Sequence, residues 1–192
     1  MCGWLDLPVS PIGERQLQCF RNRPLDEFKP EAVYTSSSSR ARVTAKALAS
    51  KWGLPVRSDP QLREISCGAF EGMSIAEVRH RYPELWAQNA LQINSEIAWS
   101  NGETYKSFRR RVCQALSRIA SRHDNARIPV VTHTGVISQV IGAIKGLSPA
   151  VWEQYRPGPF TATEVIWRGE SPVELLSFNL SDWWRELQPH AG

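Results

Sequence analysis

One arrangement occurs twice in this 192-residue sequence and constrains its fold more than any other feature. A short apolar run ends in a polar residue and passes at once into a segment of helical period. The first is Ala32-Val33-Tyr34-Thr35, running through Ser36-Ser37-Ser38-Ser39 into Arg40. The second is Ile128-Pro129-Val130-Val131-Thr132-His133, running into Thr134-Gly135. Short apolar runs that alternate with helical segments mark an α/β fold built on a sheet. In open sheets of this kind ligands bind beyond the carboxyl ends of the strands, and both polar ends fall there.

The remaining segments fit the same scheme. Ser10 with Pro11 behind it opens a first helix. A second helix runs from about Arg40 to Trp52 and is closed by Gly53. Ser74-Ile75-Ala76-Glu77 is a capping box, opening a helix that breaks near Pro83. A long helix covers about Glu103 to Arg122, and another covers Val136 to Lys145. Ser148-Pro149 is expected to open one more. Strand-like runs follow near Phe160–Trp167 and Val173–Phe178. With no internal repeat and no polar linker, residues 1–192 are expected to form one domain, large enough to bury a core.

Composition removes several function classes. No run approaches the roughly 18 apolar residues of a membrane span, and the first residues do not follow a secretory pattern. Cys2, Cys19, Cys67 and Cys113 are scattered without a C-x-x-C pair, which suits a reducing cytoplasm and gives neither a disulfide framework nor a thiolate zinc site. His80, His123, His133 and His190 lack metal-ligand spacing, so no metal is expected. No P-loop, G-x-G-x-x-G or G-x-S-x-G segment is present, and no cofactor is expected. The net charge is +4, and its densest cluster is Arg109-Arg110-Arg111 with Arg118 and Arg122. These arginines interleave with Phe108, Val112, Ala115, Leu116 and Ile119 at helical spacing. That pattern reads as the solvated face of an amphipathic helix, not a nucleic-acid stripe.

Chemistry concentrates at three places. Arg40, behind the serine run, can grip a phosphate or carboxylate with two parallel hydrogen bonds. His133 can donate to a bound oxyanion or exchange a proton with it, and Gly135 permits close backbone approach to a ligand. Both residues open helices, whose free N–H groups attract anions. The third place is Leu62-Arg63-Glu64 through Phe70-Glu71-Gly72. A carboxylate there, beside a phosphate, is repelled and its pKa rises, as a general acid requires. Each also has a plainer use. A serine run caps a helix, a histidine can close a strand structurally, and Glu64 and Glu71 can be surface carboxylates or partners of nearby arginines.

At these residues the chain resembles the histidine phosphatase superfamily, the phosphoglycerate mutase-like proteins. Gly3-Trp4-Leu5-Asp6-Leu7-Pro8 through Gln16 is similar to that family's G-x-x-D-x-P segment, and Thr35-Ser36 through Arg40-Ala41 to Thr44-Ala45 to its S-S-x-x-x-R-A-x-x-T-A segment. Leu62–Gly72, Gly102-Glu103-Thr104 and Val131-Thr132-His133-Thr134-Gly135 follow in family order. The opening Cys2–Pro8 is most similar to the α-ribazole phosphatase branch, which acts in cobalamin assembly. The resemblance implies a three-layer α/β/α fold with a mostly parallel sheet. It implies a phosphohistidine mechanism without metal, with Arg40, Ser36 and Thr134 contacting the substrate. His133 would stabilise the transferring phosphoryl group and Glu64 would protonate the leaving oxygen. The partner it implies is a small phosphorylated metabolite, α-ribazole 5′-phosphate being one candidate.

The family's nucleophile lies in an R-H-G motif at the end of its first, central strand, and this sequence contains no Arg-His-Gly. Loss of a nucleophile costs on the order of a million-fold in turnover. The expectation is that the natural protein carries that strand ahead of Met1, and that the 192 residues alone are inactive or strongly impaired. The neighbouring strand, Ile128–Thr132, is then expected to show unpaired backbone. Phosphoglycerate mutase-type transfer and phosphate binding without turnover are the alternative functions. Oligomeric state is not readable from the sequence.

Overall fold

The computed structural model describes residues 1–21 and 28–181. His190 lies outside them. The helices are α1 (Pro11–Arg21), α2 (Ser39–Ala49), α3 (Ile75–Arg81), α4 (Pro83–Ala90), α5 (Tyr105–Ala120) and α6 (Thr134–Ile144). The strands are β1 (Val33–Ser36), β2 (Val56–Asp59), β3 (Val130–Val131), β4 (Ala162–Arg168) and β5 (Ser171–Leu180). β2, β1 and β3 form a parallel sheet in that order, with Val33 opposite Val56 and Tyr34 opposite Val130. β4 and β5 form a separate antiparallel hairpin. The fold is mixed α/β, as the strand-to-helix pattern predicts.

Alternation along β1 decides what covers each face of the sheet. Val33 points into a cluster with Phe20 of α1 and Ala45, Leu48 and Ala49 of α2, joined by Val56 and Val131. Tyr34 points the other way, to Ala115 and Ile119 of α5, with Val130 and Ile128 beside it. The sheet is therefore sandwiched between helices, as parallel sheets are. On its outer side α5 packs Phe108 and Val112 against Val136 and Val140 of α6, and Val165 and Trp167 of β4 close that cluster.

Several starts follow from local chemistry. Ser74 and Glu77 form the reciprocal capping box at α3, and the Thr104 hydroxyl accepts the Ser107 N–H at α5. Pro83 ends one helix and begins the next, consistent with its fixed φ and missing donor.

Three expectations need correction. Ser148-Pro149 opens no helix: a turn there leads into irregular chain until β4. The Leu147 and Ser148 carbonyls are taken by Arg109, and the Pro149 carbonyl by Gln139. Acceptors committed to α5 and α6 are not free to start a helical ladder. The run Ile128–His133 contributes only Val130 and Val131 as strand. Arg109 and Arg111 are not solvated. Arg111 is 11% exposed, and only Arg110, Arg118 and Arg122 of the five fit the polar face.

Among the described residues β3 pairs with β1 on one side and with no named strand on the other, and residues 128–132 are all half-buried. No helix of the described chain is long and apolar enough to cross a membrane.

Candidate active site

The parallel register brings the carboxyl ends of β1 and β3 side by side. β1 ends in Thr35 and Ser36, both fully buried. The Ser36 hydroxyl lies 2.8 Å from Nε2 of His133, which sits in extended conformation just ahead of α6. His133 is 8% exposed. Burial, followed by the positive charges of Arg40, Arg111 and Arg63, pushes its pKa down to about 3. The imidazole is neutral at neutral pH, so one ring nitrogen holds a proton and the other accepts.

Glu64 reaches the same place from the loop after β2. Its Oε2 accepts the Gly135 N–H at 2.9 Å and its Oε1 the Ile65 N–H at 2.9 Å. The residue keeps some exposed surface, but its carboxyl group is desolvated, and that raises its pKa. The two N–H donors, Arg40 and Arg111 oppose the rise without cancelling it. Gly135 is needed here, though for the carboxylate and not directly for a ligand: a Cβ at this position would lie 2.1 Å from Glu64 Oε1.

Arg40 projects from the first turn of α2 and donates to the carbonyls of Leu5 at 2.9 Å and Gly3 at 3.1 Å. The Asp6 carboxylate accepts from the Ser39 N–H and hydroxyl at 2.7 and 2.8 Å. Residues 3–6 thus lie across the start of α2. Ser36, Arg40, Glu64 and His133 gather at this end of the sheet. Thr134 opens α6 beside them, but its hydroxyl is turned to the Pro157 carbonyl. Glu71 plays another part, accepting the N–H groups of Trp4 and Cys67. It anchors the first residues and, among the described residues, pairs with no arginine. Cys67 is buried and its thiol is pushed up to about 12, which makes it inert as a nucleophile.

Sequence reasoning missed two arginines. Arg63 donates from Nε to the Ser37 hydroxyl at 2.7 Å and stacks over Trp4. Arg111 arrives from α5 and bonds the loop that carries Glu64. Arg63 adjoins Glu64 in the Leu62–Gly72 segment. Arg111 gave no signal, because its partners are backbone carbonyls far away in sequence. Together Arg40, Arg63 and Arg111 place positive charge around a neutral imidazole, and Arg40 and Arg111 also act on the desolvated Glu64 carboxyl group. Such a set suits a dianionic phosphoryl group and needs no metal to balance its charge. Among the described residues no His, Cys, Asp and Glu cluster could hold a metal ion.

Residues 1–180 match the histidine phosphatase superfamily (branch 1). The chain belongs to this superfamily. Phosphoglycerate mutase-like protein 4 of Arabidopsis thaliana is 35% identical over 136 residues, which cover 70% of this chain and 59% of that protein. The chain spans about three fifths of the length of such curated relatives. Among solved structures, a mycobacterial glucosyl-3-phosphoglycerate phosphatase superposes with a TM-score of 0.79 at 25% identity, covering 94% of this chain and 92% of that one. The α-ribazole phosphatase of Shigella flexneri gives a TM-score of 0.79 at 23% identity, covering 94% and 88%; at that identity the likeness speaks for the fold alone. The relatives it matches include proteins named as phosphatases and as phosphoglycerate mutase-like proteins.

Proposed function

We propose that this site takes the phosphoryl group of a small phosphorylated metabolite and serves phosphomonoester hydrolysis. Arg40 grips the phosphoryl oxygens once it leaves the Gly3 and Leu5 carbonyls. His133 donates a hydrogen bond to the transferring group, and Glu64 delivers its proton to the leaving oxygen as the P–O bond breaks. Hydrolysis consumes one water and releases an alcohol and inorganic phosphate. The observation that carries this reading is Glu64: a desolvated carboxyl group at the N-terminus of α6, bonded to the Gly135 N–H two residues beyond His133, with its pKa raised by burial. A carboxyl group whose hold on its proton is strengthened by burial, beside Arg40 and Arg111, suits protonation of a leaving oxygen. The similarity to a mycobacterial glucosyl-3-phosphoglycerate phosphatase favours a phosphorylated sugar-like metabolite, and the resemblance of Cys2–Pro8 to the α-ribazole phosphatase branch makes α-ribazole 5′-phosphate one to try.

One observation favours a second reading, phosphate binding without turnover. The sequence holds no Arg-His-Gly, so gripping and protonation are accounted for by these residues and nucleophilic attack is not. Two measurements on the full chain separate the readings: release of phosphate from 4-nitrophenyl phosphate at pH 5 to 8, and thermal stabilisation by millimolar inorganic phosphate. Stabilisation that Arg40→Ala abolishes is expected under both. Turnover lost in His133→Ala and Glu64→Gln supports hydrolysis; none at all from a folded chain supports binding alone. If phosphate neither stabilises the chain nor is released, the site is not a phosphoryl site.

A further inference from the structure

The segment from Gln61 to Ser66 belongs to no sheet ladder, yet it must hold the Glu64 carboxyl group in place. Its backbone carbonyls are satisfied from outside. The Leu62 carbonyl accepts from the Thr132 hydroxyl at 2.8 Å. The other three of the run 61–64 accept from one side chain, Arg111. Its Nη1 donates to Gln61 at 2.6 Å and to Arg63 at 3.1 Å, and its Nη2 to Glu64 at 3.2 Å. The two remaining N–H groups go to Glu103, from Nε to Oε1 at 2.7 Å and from Nη2 to Oε2 at 2.6 Å. A guanidinium has five N–H donors in a fixed plane, and all five are used.

Glu103 completes the clamp. Its Oε2 also accepts the Ser66 N–H at 2.9 Å, and its own N–H donates to the Ser66 carbonyl at 3.0 Å. Both side chains are largely buried, at 11% and 18% exposure. Phe108 and Trp4 lie against the guanidinium faces, at 5.0 and 6.0 Å, and the Trp4 indole N–H donates to the Glu64 carbonyl at 2.8 Å. A buried ion pair is weak evidence of stabilisation by itself. What distinguishes this one is where its bonds go. Every bond outside the pair ends on the stretch from 61 to 66, and that stretch contributes Glu64 to the site.

We propose that Arg111, locked by Glu103, is a positioning residue that fixes the Glu64 carboxyl group at the N-terminus of α6. This rests on the reading of Glu64 as proton donor. Arg111 does not touch substrate; it acts through the loop. Lysine cannot replace it, because an ammonium is a point donor with three N–H groups and cannot span five acceptors in one plane.

Two effects of Arg111 on Glu64 have opposite signs, which makes the proposal testable. As a nearby positive charge Arg111 lowers the Glu64 pKa, as Arg40 does. As a clamp it keeps the carboxyl group desolvated, which raises it. The experiment is a 13C-carboxyl NMR titration of the full chain, with the Glu64 signal assigned by its loss in Glu64→Gln. If Arg111 positions the loop, Glu64 in both Arg111→Met and Arg111→Lys titrates lower than in the wild type, by about one pH unit, a tenfold change in proton affinity. Glu103→Gln, which keeps the three carbonyl bonds, gives a smaller shift in the same direction. If Arg111 is only a charge, Arg111→Met raises the Glu64 pKa and Arg111→Lys leaves it unchanged. If the clamp is only structural, the variants lose thermal stability while Glu64 titrates as before. Either result overturns the proposal. Should Arg111→Met not fold, Arg111→Lys and Glu103→Gln decide alone. The titration needs no turnover, so a chain that fails to release or bind phosphate still tests the clamp.

Discussion

At the first strand-to-helix junction the strand is buried throughout and the carboxylate at the helix N-terminus, Asp6, is exposed. At the second the strand is two half-buried residues and the carboxyl group, that of Glu64, is desolvated. Among the described residues β1 has parallel partners on both sides and β3 has one. A similar sequence pattern therefore serves two purposes. The first junction anchors the sheet and caps its helix with a solvated charge, an ordinary stabilising arrangement. The second holds its groups away from water, where their ionisation is displaced from the usual range. Burial of the strand and desolvation of the ionisable groups are separate properties, and the molecule places them at different junctions.

The sharpest consequence is that acid sensitivity belongs to the second junction. His133 has a folded pKa of about 3 against an ordinary value of 6.5. Its contribution to stability is complete above pH 6.5 and is lost as pH falls towards 3, at up to about 1.4 kcal/mol per pH unit. Glu64 works in the opposite sense. Its pKa is raised above 4.5, so its contribution is present below that value and is lost as pH rises. Urea unfolding of the full chain between pH 7.5 and 4.5 reads both. The acid loss should flatten in His133→Asn, which keeps a polar group towards Ser36, and steepen in Glu64→Gln. An acid loss that His133→Asn leaves unchanged would place the titrating group elsewhere and break the comparison.

A smaller effect tests the strands themselves. Val33 and Val131 contribute to the same cluster, Val33 fully buried and Val131 half-buried. Val33→Ala should cost about 2 kcal/mol through lost transfer energy and the cavity left behind, and Val131→Ala about half of that or less. Urea midpoints at pH 7 decide this. Equal losses would mean that β3 is as enclosed as β1 in solution, and the contrast between the junctions would fail.

These differences also explain what could be read in advance. Caps and breakers act within a few residues, so the starts at Pro11, Ser74 and Thr104 and the break at Pro83 were visible in the sequence, though not the helix that begins at Pro83, and so was the junction pattern that brings Arg40 and His133 to one end of the sheet. The settings of these residues were not. Nothing near Arg111 in the sequence announces that its acceptors are carbonyls at 61, 63 and 64. Nothing near Ser148-Pro149 announces that Arg109 and Gln139 will occupy the carbonyls a helix start would use. In both places a long-range side chain overrides a local signal. A helical arginine looks solvated until the loop it binds has been placed.

The smallest effect lies at the first junction. The Ser39 N–H, then its hydroxyl, lower the Asp6 pKa below 3.8. Its contribution is therefore present above that value and lost only as pH falls below it. Between pH 7.5 and 4.5 an Asp6 substitution should shift the whole stability curve without changing its slope. Asp6→Asn keeps an oxygen to accept from Ser39 and removes the charge. It should lower Tm slightly, and because the site is exposed that loss should fade with added salt. Asp6→Ala removes the acceptor as well and should lower Tm further, with a part that salt does not screen. Thermal melts at low and high ionic strength compare the two variants. A loss in Asp6→Asn that persists at high salt would mean that this carboxylate is sheltered like that of Glu64, and the two junctions would then differ in their strands alone.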